Sequence, residues 1–254
     1  LLFMEEMMFL VCAGVSLCYG EEDYIYFIYT TLINMAVGSG LILLGRGAEN
    51  RVTRRDGYCI VAFTWLLFTG FGMLPFYISG SIPSVTGAFF ERMSGFTTTG
   101  ATILDDIEAL SHGMLFWRSF SQWIGGLGIV FFTIAVLPIF GVGNQVLFSA
   151  EATGVTHDKI HPKISVMAQC LWTVYLVLTV AEIVLLLIGG MDLFDAACHA
   201  FSTTATGGYS TKQASVAYWN SPFIEYVIAI FMILSGINFS LYFMCMKGRC
   251  GQLF

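Results

Sequence analysis

The chain has 254 residues, of which 57% are hydrophobic and 11% are charged, and its formal net charge is −6. Soluble domains carry about 25% charged residues, so this composition excludes an ordinary soluble domain and predicts an integral membrane protein. The sequence also lacks a basic tract that would favour a nucleic-acid partner.

Six apolar segments are long enough to cross a bilayer, which requires about 20 residues per helix. In chain order they cover residues 3–19, 24–44, 58–79, 115–139, 165–189 and 219–246. Shorter segments, 84–96 and 192–204, follow the third and fifth spans. Segments of about 10 to 14 residues are typical of re-entrant or buried helices, so we predict that neither crosses.

The distribution of charge supports this topology. The 45–57 loop carries four arginines and should therefore face the cytoplasm. The 141–164 loop carries Lys159 and Lys163, and it reaches the same side only if 84–96 enters the membrane and returns. The acidic stretches 21–23 and 105–108 then face outward.

The sequence overlays on itself without a gap when it is shifted by 108 residues. The matching positions are small or hydroxylated: Ala88, Ser94, Thr98, Gly100 and Thr102 with Ala196, Ser202, Thr206, Gly208 and Ser210. Because the helices keep the same offset, we predict an all-α membrane fold with a repeated unit. Each unit is a helix, a re-entrant helix, an extended polar strand and a second helix, and the repeats share an axis along the membrane normal.

The predicted organisation has four parts. Residues 1–45 form a helix pair, 57–140 the first repeat and 165–247 the second repeat, and 248–254 begin a further part. The chain starts with Leu1 and stops at "MKGRCGQLF" without a clear ending. We therefore expect a piece of a longer protein.

Two polar ladders, "MSGFTTTGATIL" and "FSTTATGGYST", follow the short segments. They offer carbonyl and hydroxyl oxygens but no fixed charge, which suits a dehydrated monovalent cation. The preceding helices point their partly negative ends inward, and this favours a cation there. The alternative is that Thr and Gly only allow close helix packing, but such motifs recur at helical spacing and these residues are contiguous.

Three stretches, "FFERMSGFTTTGATIL", "FWRSFSQWIGGLGIVFFTIAVLPIFG" and "FDAACHAFSTTATGGYST", resemble the Trk/Ktr family of potassium transporters. The resemblance implies four repeats around one pore, of which this chain holds two, with K+ as the transported ion. Gly100 and Gly208 fall on the family's filter glycines. The predicted ion-binding residues are Thr98, Thr99, Gly100, Ala101, Thr206, Gly207, Gly208 and Tyr209.

The resemblance also implies partners. These are membrane lipid, a cytoplasmic nucleotide-binding regulatory subunit, and a second copy in a homodimer of the complete protein, in the cytoplasmic (inner) membrane of a bacterium. Loops 45–57 and 141–164 are the predicted contacts for the regulator. No covalently bound cofactor is expected.

Charged residues inside apolar segments predict functional or structural roles. Glu182 should pair across the bundle, and Arg118 is interpreted as an anchor that reaches the interface, with repulsion of ions as the alternative. Glu91, Arg92 and His199 should tie the short helices to their surroundings. Trp117 is interpreted as an interfacial aromatic.

Glycine, cysteine and histidine positions favour packing or solvation over metal binding. Gly125 and Gly126 are typical of a close helix contact. The cysteines show no paired metal spacing. His157 and His161 lie at helical spacing in a polar loop, which is more typical of solvated side chains than of a metal site.

Two further functions stay open from the sequence. One is coupled symport of potassium with Na+ or H+, which buried acids such as Glu182 favour. The other is a non-conducting half-assembly or scaffold, because two repeats are missing. An enzyme is not expected, since no nucleophile or zinc signature has a suitable context.

Overall fold

The fold is a set of packed α-helices. The computed structural model describes residues 2–46, 54–126, 128, 164–237 and 242, and these residues contain no β-strand. The described helices are α1 (Leu2–Cys18), α2 (Tyr24–Leu44), α3 (Arg54–Gly72), α4 (Leu74–Ile78), α5 (Val85–Phe96), α6 (His112–Gly126), α7 (Ile164–Ile188), α8 (Leu193–Thr204) and α9 (Pro222–Gly236), with a 3-10 helix over Ser215–Trp219. The predicted all-α class is confirmed.

Two helices in the described ranges are long and apolar enough to cross a membrane, namely α2 and the Leu171–Ile188 part of α7. Only 22% of the α2 window and 28% of the α7 window are buried. Most of their apolar side chains therefore face away from the protein, as expected of helices that contact lipid. Two shorter apolar helices cover Ala62–Ile78 and Pro222–Gly236.

The predicted spans 3–19, 24–44 and 165–189 coincide with α1, α2 and α7. The predicted span 58–79 covers most of α3 and all of α4, with a one-residue break at Met73, and Ala62–Ile78 form one apolar stretch. Pro75 explains the break, since proline lacks a backbone N–H and its ring clashes with the preceding turn of a helix. The span 115–139 overlaps α6 and the span 219–246 contains α9, and their later parts, apart from residues 128 and 242, lie outside the described residues.

Helices α5 and α8 occupy the two segments that were predicted not to cross, and each has 12 residues. Both begin at a capping side chain. Ser84 Oγ accepts from the Gly87 N–H at 3.3 Å, and Asp192 Oδ2 accepts from the Phe194 N–H at 3.2 Å. Such caps satisfy N–H groups that the first helical turn leaves free. Helix α6 packs against both short helices and so fixes their relative position.

The core beside α6 is aromatic. Trp117 lies 4.8 Å from the Phe9 ring and 5.9 Å from the Phe96 ring, measured between centroids. Its Nε1 donates to the Gly72 carbonyl at 3.0 Å, and the side chain is 0% exposed. The interfacial interpretation of Trp117 is therefore wrong, because α1, α3 and α5 cover this face of α6.

The turn between α1 and α2 caps the start of α6. The Glu21 carboxylate accepts from the backbone N–H groups of His112 at 2.9 Å and Gly113 at 3.3 Å. These N–H groups have no acceptor within the helix, and the helix dipole favours an anion there. Burial alone would raise the pKa of Glu21, but the hydrogen bonds from His112 and Gly113 outweigh it and lower that pKa.

Glu21→Ala is expected to lower the free energy of unfolding by about 1 kcal/mol, the usual cost of losing a cap. Thermal unfolding in detergent at neutral pH measures this, with the exposed neighbour in Glu22→Ala as the matched control. Because the folded-state pKa of Glu21 is lowered, its contribution is complete above the ordinary glutamate pKa and is lost as the pH falls through the lowered value. Equal effects of the two substitutions, or a difference that persists in strong acid, would contradict this assignment.

Candidate ion-binding site

Irregular backbone follows each short helix, in segment A (97–104) and segment B (205–212). Thr98 and Thr206 have φ of 53° and 55°, and Gly100 and Gly208 have φ of 75° and 85°. The predicted extended strands are therefore wrong, because left-handed residues interrupt both segments. A residue with a side chain pays a steric cost in this conformation, and such strain is concentrated at ligand sites and switch regions.

Equivalent hydrogen bonds hold both segments to their short helices. Ser94 Oγ donates to the Ala101 carbonyl at 2.6 Å, and Ser202 Oγ donates to the Tyr209 carbonyl at 2.6 Å. The two donors are 108 residues apart in the sequence, and so are the two acceptors, so the offset found in the sequence recurs in the hydrogen bonds. The carbonyls of Ala101 and Tyr209 are thus engaged by protein hydroxyls, and ion binding at these two residues stays a prediction.

Six backbone carbonyls preceding these serine contacts accept no hydrogen bond from the described part of the chain. They belong to Thr98, Thr99, Gly100, Thr206, Gly207 and Gly208. Every one of the six was predicted to bind ions. A carbonyl without a protein donor keeps its oxygen available to replace part of the hydration shell of a cation.

Segments A and B meet backbone to backbone. A β-carbon at Gly100 would collide with the carbonyl oxygen of Gly207. The contact is possible because Gly100 has no β-carbon, which lets the two backbones approach closely.

The end of α6 fits between the ends of the two short helices. A β-carbon at Gly125 would collide with the carbonyl oxygen of Phe96, the last residue of α5, and one at Gly126 would lie 2.8 Å from the Cα of Ala205, just after α8. The predicted close contact is confirmed. The C-terminal ends of α5 and α8, which carry partial negative charge, therefore converge on the end of α6.

Arg118 of α6 joins the two segments. Its Nε lies 2.9 Å from Glu91 Oε1, and the two side chains are 2% and 1% exposed. Its Nη1 donates to the Ser210 carbonyl and its Nη2 to Thr102 Oγ1, both at 3.3 Å. The guanidinium also lies 4.1 Å from the centre of the Tyr209 ring. The anchoring role is confirmed, but the reach toward the interface is wrong, because Glu91 holds the guanidinium inside.

Glu91 and His199 occupy matching positions on α5 and α8 and bind matching hydroxyls. Thr102 Oγ1 donates to Glu91 at 3.1 Å, and the Ile103 N–H does so at 3.0 Å. His199 Nε2 lies 3.0 Å from Ser210 Oγ. The prediction that these residues tie the short helices to their surroundings is confirmed.

Arg92 and Glu182 make further buried contacts. Arg92 donates to the Trp117 carbonyl at 3.3 Å and lies 4.1 Å from the centre of the Trp117 ring, so it links α5 to α6. Thr204 Oγ1 donates to Glu182 at 3.4 Å. The partner that the sequence predicted for Glu182 across the bundle is therefore the last residue of α8.

Gln122 is a residue to which the sequence alone assigns no role. It follows Arg118 by one helical turn, and the i+4 spacing is the signal that places both side chains on one face. Gln122 Oε1 accepts from the Tyr209 N–H at 3.2 Å. Tyr209 Oη in turn donates to the carbonyls of Glu91 and Ala101, at 3.0 Å and 3.2 Å.

Among the described residues, no group of three or more His, Cys, Asp or Glu side chains could hold a metal ion. His157 and His161 lie outside the described residues. Cys12 and Cys198 are buried, as the packing interpretation predicts, whereas Cys18 and Cys59 are exposed.

The exposed apolar helices α2 and α7, together with the irregular backbone of segments A and B, are typical of an integral membrane protein. The chain belongs to the TrkH family: the sequence profile of this family, described as "Cation transport protein", matches residues 25–251. The resemblance to Trk-type transporters is thereby confirmed.

Individual relatives agree with this membership. The chain is 43% identical to the Trk system potassium uptake protein TrkH of Escherichia coli K12 over 237 residues, which cover 92% of this chain and 49% of that protein. It is 35% identical to TrkG of the same organism over 237 residues, again 92% and 49%. The crystal structure of the potassium transporter TrkH from Vibrio parahaemolyticus superposes with a TM-score of 0.80 at 35% identity, covering 98% of this chain and 51% of that one. The chain thus spans about half the length of these relatives.

Proposed function

We propose that this chain forms part of a channel-like pore that carries potassium across the cytoplasmic membrane. The observation that carries the proposal is the set of free carbonyls in segments A and B, held between the serine contacts and the short helices. Rings of backbone carbonyls bind dehydrated monovalent cations and still release them. The names of the relatives, which are potassium uptake proteins, support potassium as the ion.

The repeat is the second part of the proposal. Residues 57–140 and 165–247 form two units, in which α5 and α8 dip into the membrane and return as segments A and B. Support comes from the caps, serine contacts and left-handed residues that recur with one offset of 108 residues. The complete pore has pseudo-fourfold symmetry and uses two more such units.

The electrostatics suit a cation of single charge. The C-terminal ends of α5 and α8 supply partial negative charge, while the buried carboxylate of Glu91 is neutralised by Arg118 at 2.9 Å. Arg118 therefore offsets the full negative charge of Glu91, which Thr102 Oγ1 and the Ile103 N–H of segment A contact. A site of carbonyls and helix ends binds an ion weakly enough for it to leave.

The proposed setting is the inner membrane of a bacterium. The complete protein is a homodimer surrounded by lipid, and its cytoplasmic loops 45–57 and 141–164 contact a nucleotide-binding regulatory subunit. The exposed apolar surfaces of α2 and α7 support the lipid contact.

Transport is tested with the protein as its own gene encodes it, in a bacterial strain that lacks its potassium uptake systems. Growth at low external potassium and uptake of K+ in competition with Na+ are the measurements. We expect restored growth and uptake that excess Na+ inhibits weakly. Currents in proteoliposomes should reverse at the potassium equilibrium potential at every pH and Na+ concentration, whereas a shift with either would indicate symport. No uptake from protein that is present in the membrane would indicate a half-assembly.

A further inference from the structure

Gln122 lies between the two segments, at the point where they meet. Its side chain is fully buried, and its Oε1 accepts from the Tyr209 N–H of segment B at 3.2 Å. A β-carbon at Gly207 would lie 2.7 Å from Gln122 Nε2, and one at Gly100 would lie 3.9 Å from the same atom. The amide nitrogen is therefore adjacent to glycines of both segments.

This amide nitrogen has no hydrogen-bond acceptor among the described residues, although it is buried. A primary amide has two N–H donors, and buried donors without a partner are uncommon in folded proteins. The oxygen of the same amide is engaged, so the orientation of the group is fixed by Tyr209. The N–H dipoles are thus held next to Gly207 of segment B and near Gly100 of segment A.

We propose that Gln122 is a positioning residue that sets the ion preference of the pore, an inference that rests on the proposed function. Its oxygen fixes the backbone of segment B, and its N–H dipoles weaken the negative potential that the neighbouring carbonyls present to a cation. A weaker field favours the larger ion, because the smaller Na+ is more strongly hydrated and needs stronger ligands to replace its water. The amide thereby favours K+ over Na+.

The test is Gln122→Glu, which keeps an oxygen acceptor for Tyr209 and replaces the N–H donors by a carboxyl group. When that carboxyl is ionised, the field at the carbonyls becomes stronger. We expect the ratio of Na+ to K+ uptake to rise about tenfold, which corresponds to about 1.4 kcal/mol in the difference between the two binding free energies. The ratio should return toward the parent value as the pH is lowered and the carboxyl is protonated. A packing role alone gives no such pH profile.

Gln213→Glu is the matched control. It makes the same chemical change in the loop after segment B, where Gln213 Oε1 accepts from the Ile107 N–H at 3.1 Å. A charge there attracts both monovalent cations equally, so the uptake ratio should stay at the parent value. Gln122→Met is measured in parallel, because it removes the dipoles without adding a charge. Its Na+ to K+ ratio should rise at every pH.

The outcomes separate this inference from the proposed function. If the parent protein takes up no potassium, both are overturned. If the parent prefers potassium and Gln122→Glu keeps that preference at every pH, only the role of Gln122 is overturned. Should Gln122→Glu fail to reach the membrane, Gln122→Met decides, and an unchanged ratio in that variant overturns the role.

Discussion

Arg118→Met is expected to abolish most of the folded protein in the membrane. The substitution leaves Glu91 as a buried carboxylate without its cation, which lies at 2.9 Å in the parent. Removing one partner of a buried ion pair costs about 3–5 kcal/mol, a large share of the roughly 5–15 kcal/mol that stabilises a typical folded protein. The measurement is thermal unfolding in detergent together with the amount of protein in the membrane. Potassium uptake per folded molecule should also fall, because segments A and B lose a shared contact.

The charge argument is separated from lost packing by a double substitution. Glu91→Gln combined with Arg118→Met removes both charges, so no unpaired carboxylate remains. The double variant should lose less free energy of unfolding than the two single variants lose when their losses are added, as expected for residues in contact. Arg46→Met removes an exposed arginine and should change the free energy of unfolding by no more than about 0.5 kcal/mol. Strict additivity of the two single effects would contradict the ion-pair assignment.

Helix positions could be predicted from the sequence because they depend on local composition. The apolar run of α2 and the 12-residue α8 follow directly from length and hydropathy. Gly100 and Gly208 were predicted as matching residues, and both have positive φ. Glycine adopts positive φ without the steric cost that a side chain brings, so its position signals unusual backbone without any tertiary information.

The contacts between the segments could not be predicted in this way. Arg118 reaches the Ser210 carbonyl and Gln122 reaches the Tyr209 N–H, across 92 and 87 residues of chain. Those contacts depend on how α6 is placed between α5 and α8, and hydropathy does not encode that placement. From the sequence, an arginine near the start of a helix could equally well reach the membrane interface. The role of Arg118 follows from its burial, which depends on the neighbouring helices.

Gly100 and Gly208, the two glycines of the proposed filter, differ in what surrounds them, and substitution by serine should expose the difference. Both have left-handed backbone, with φ of 75° at Gly100 and 85° at Gly208, and a residue with a side chain pays about 1–2 kcal/mol in that conformation. At Gly208 nothing described lies within 4 Å of an added β-carbon, whereas at Gly100 that carbon would collide with the carbonyl oxygen of Gly207. Backbone atoms cannot swing aside as a flexible side chain can.

We therefore expect Gly208→Ser to insert normally and to relax potassium preference, and Gly100→Ser to relax it further and also to lower stability. The clash at Gly100 pushes segment A away from segment B and displaces the carbonyls of both. A change of about 1.4 kcal/mol in the difference between the binding free energies of two ions already alters their uptake ratio tenfold. Uptake competition between K+ and Na+, normalised to protein in the membrane, measures the effect. Gly190→Ser is the control, since Gly190 has φ of 97° and open surroundings but lies between α7 and α8. The Gly190→Ser variant should have the same kind of backbone strain but keep the parent preference for K+ over Na+. If all three variants keep the parent preference, these glycines serve packing alone and the ions bind elsewhere.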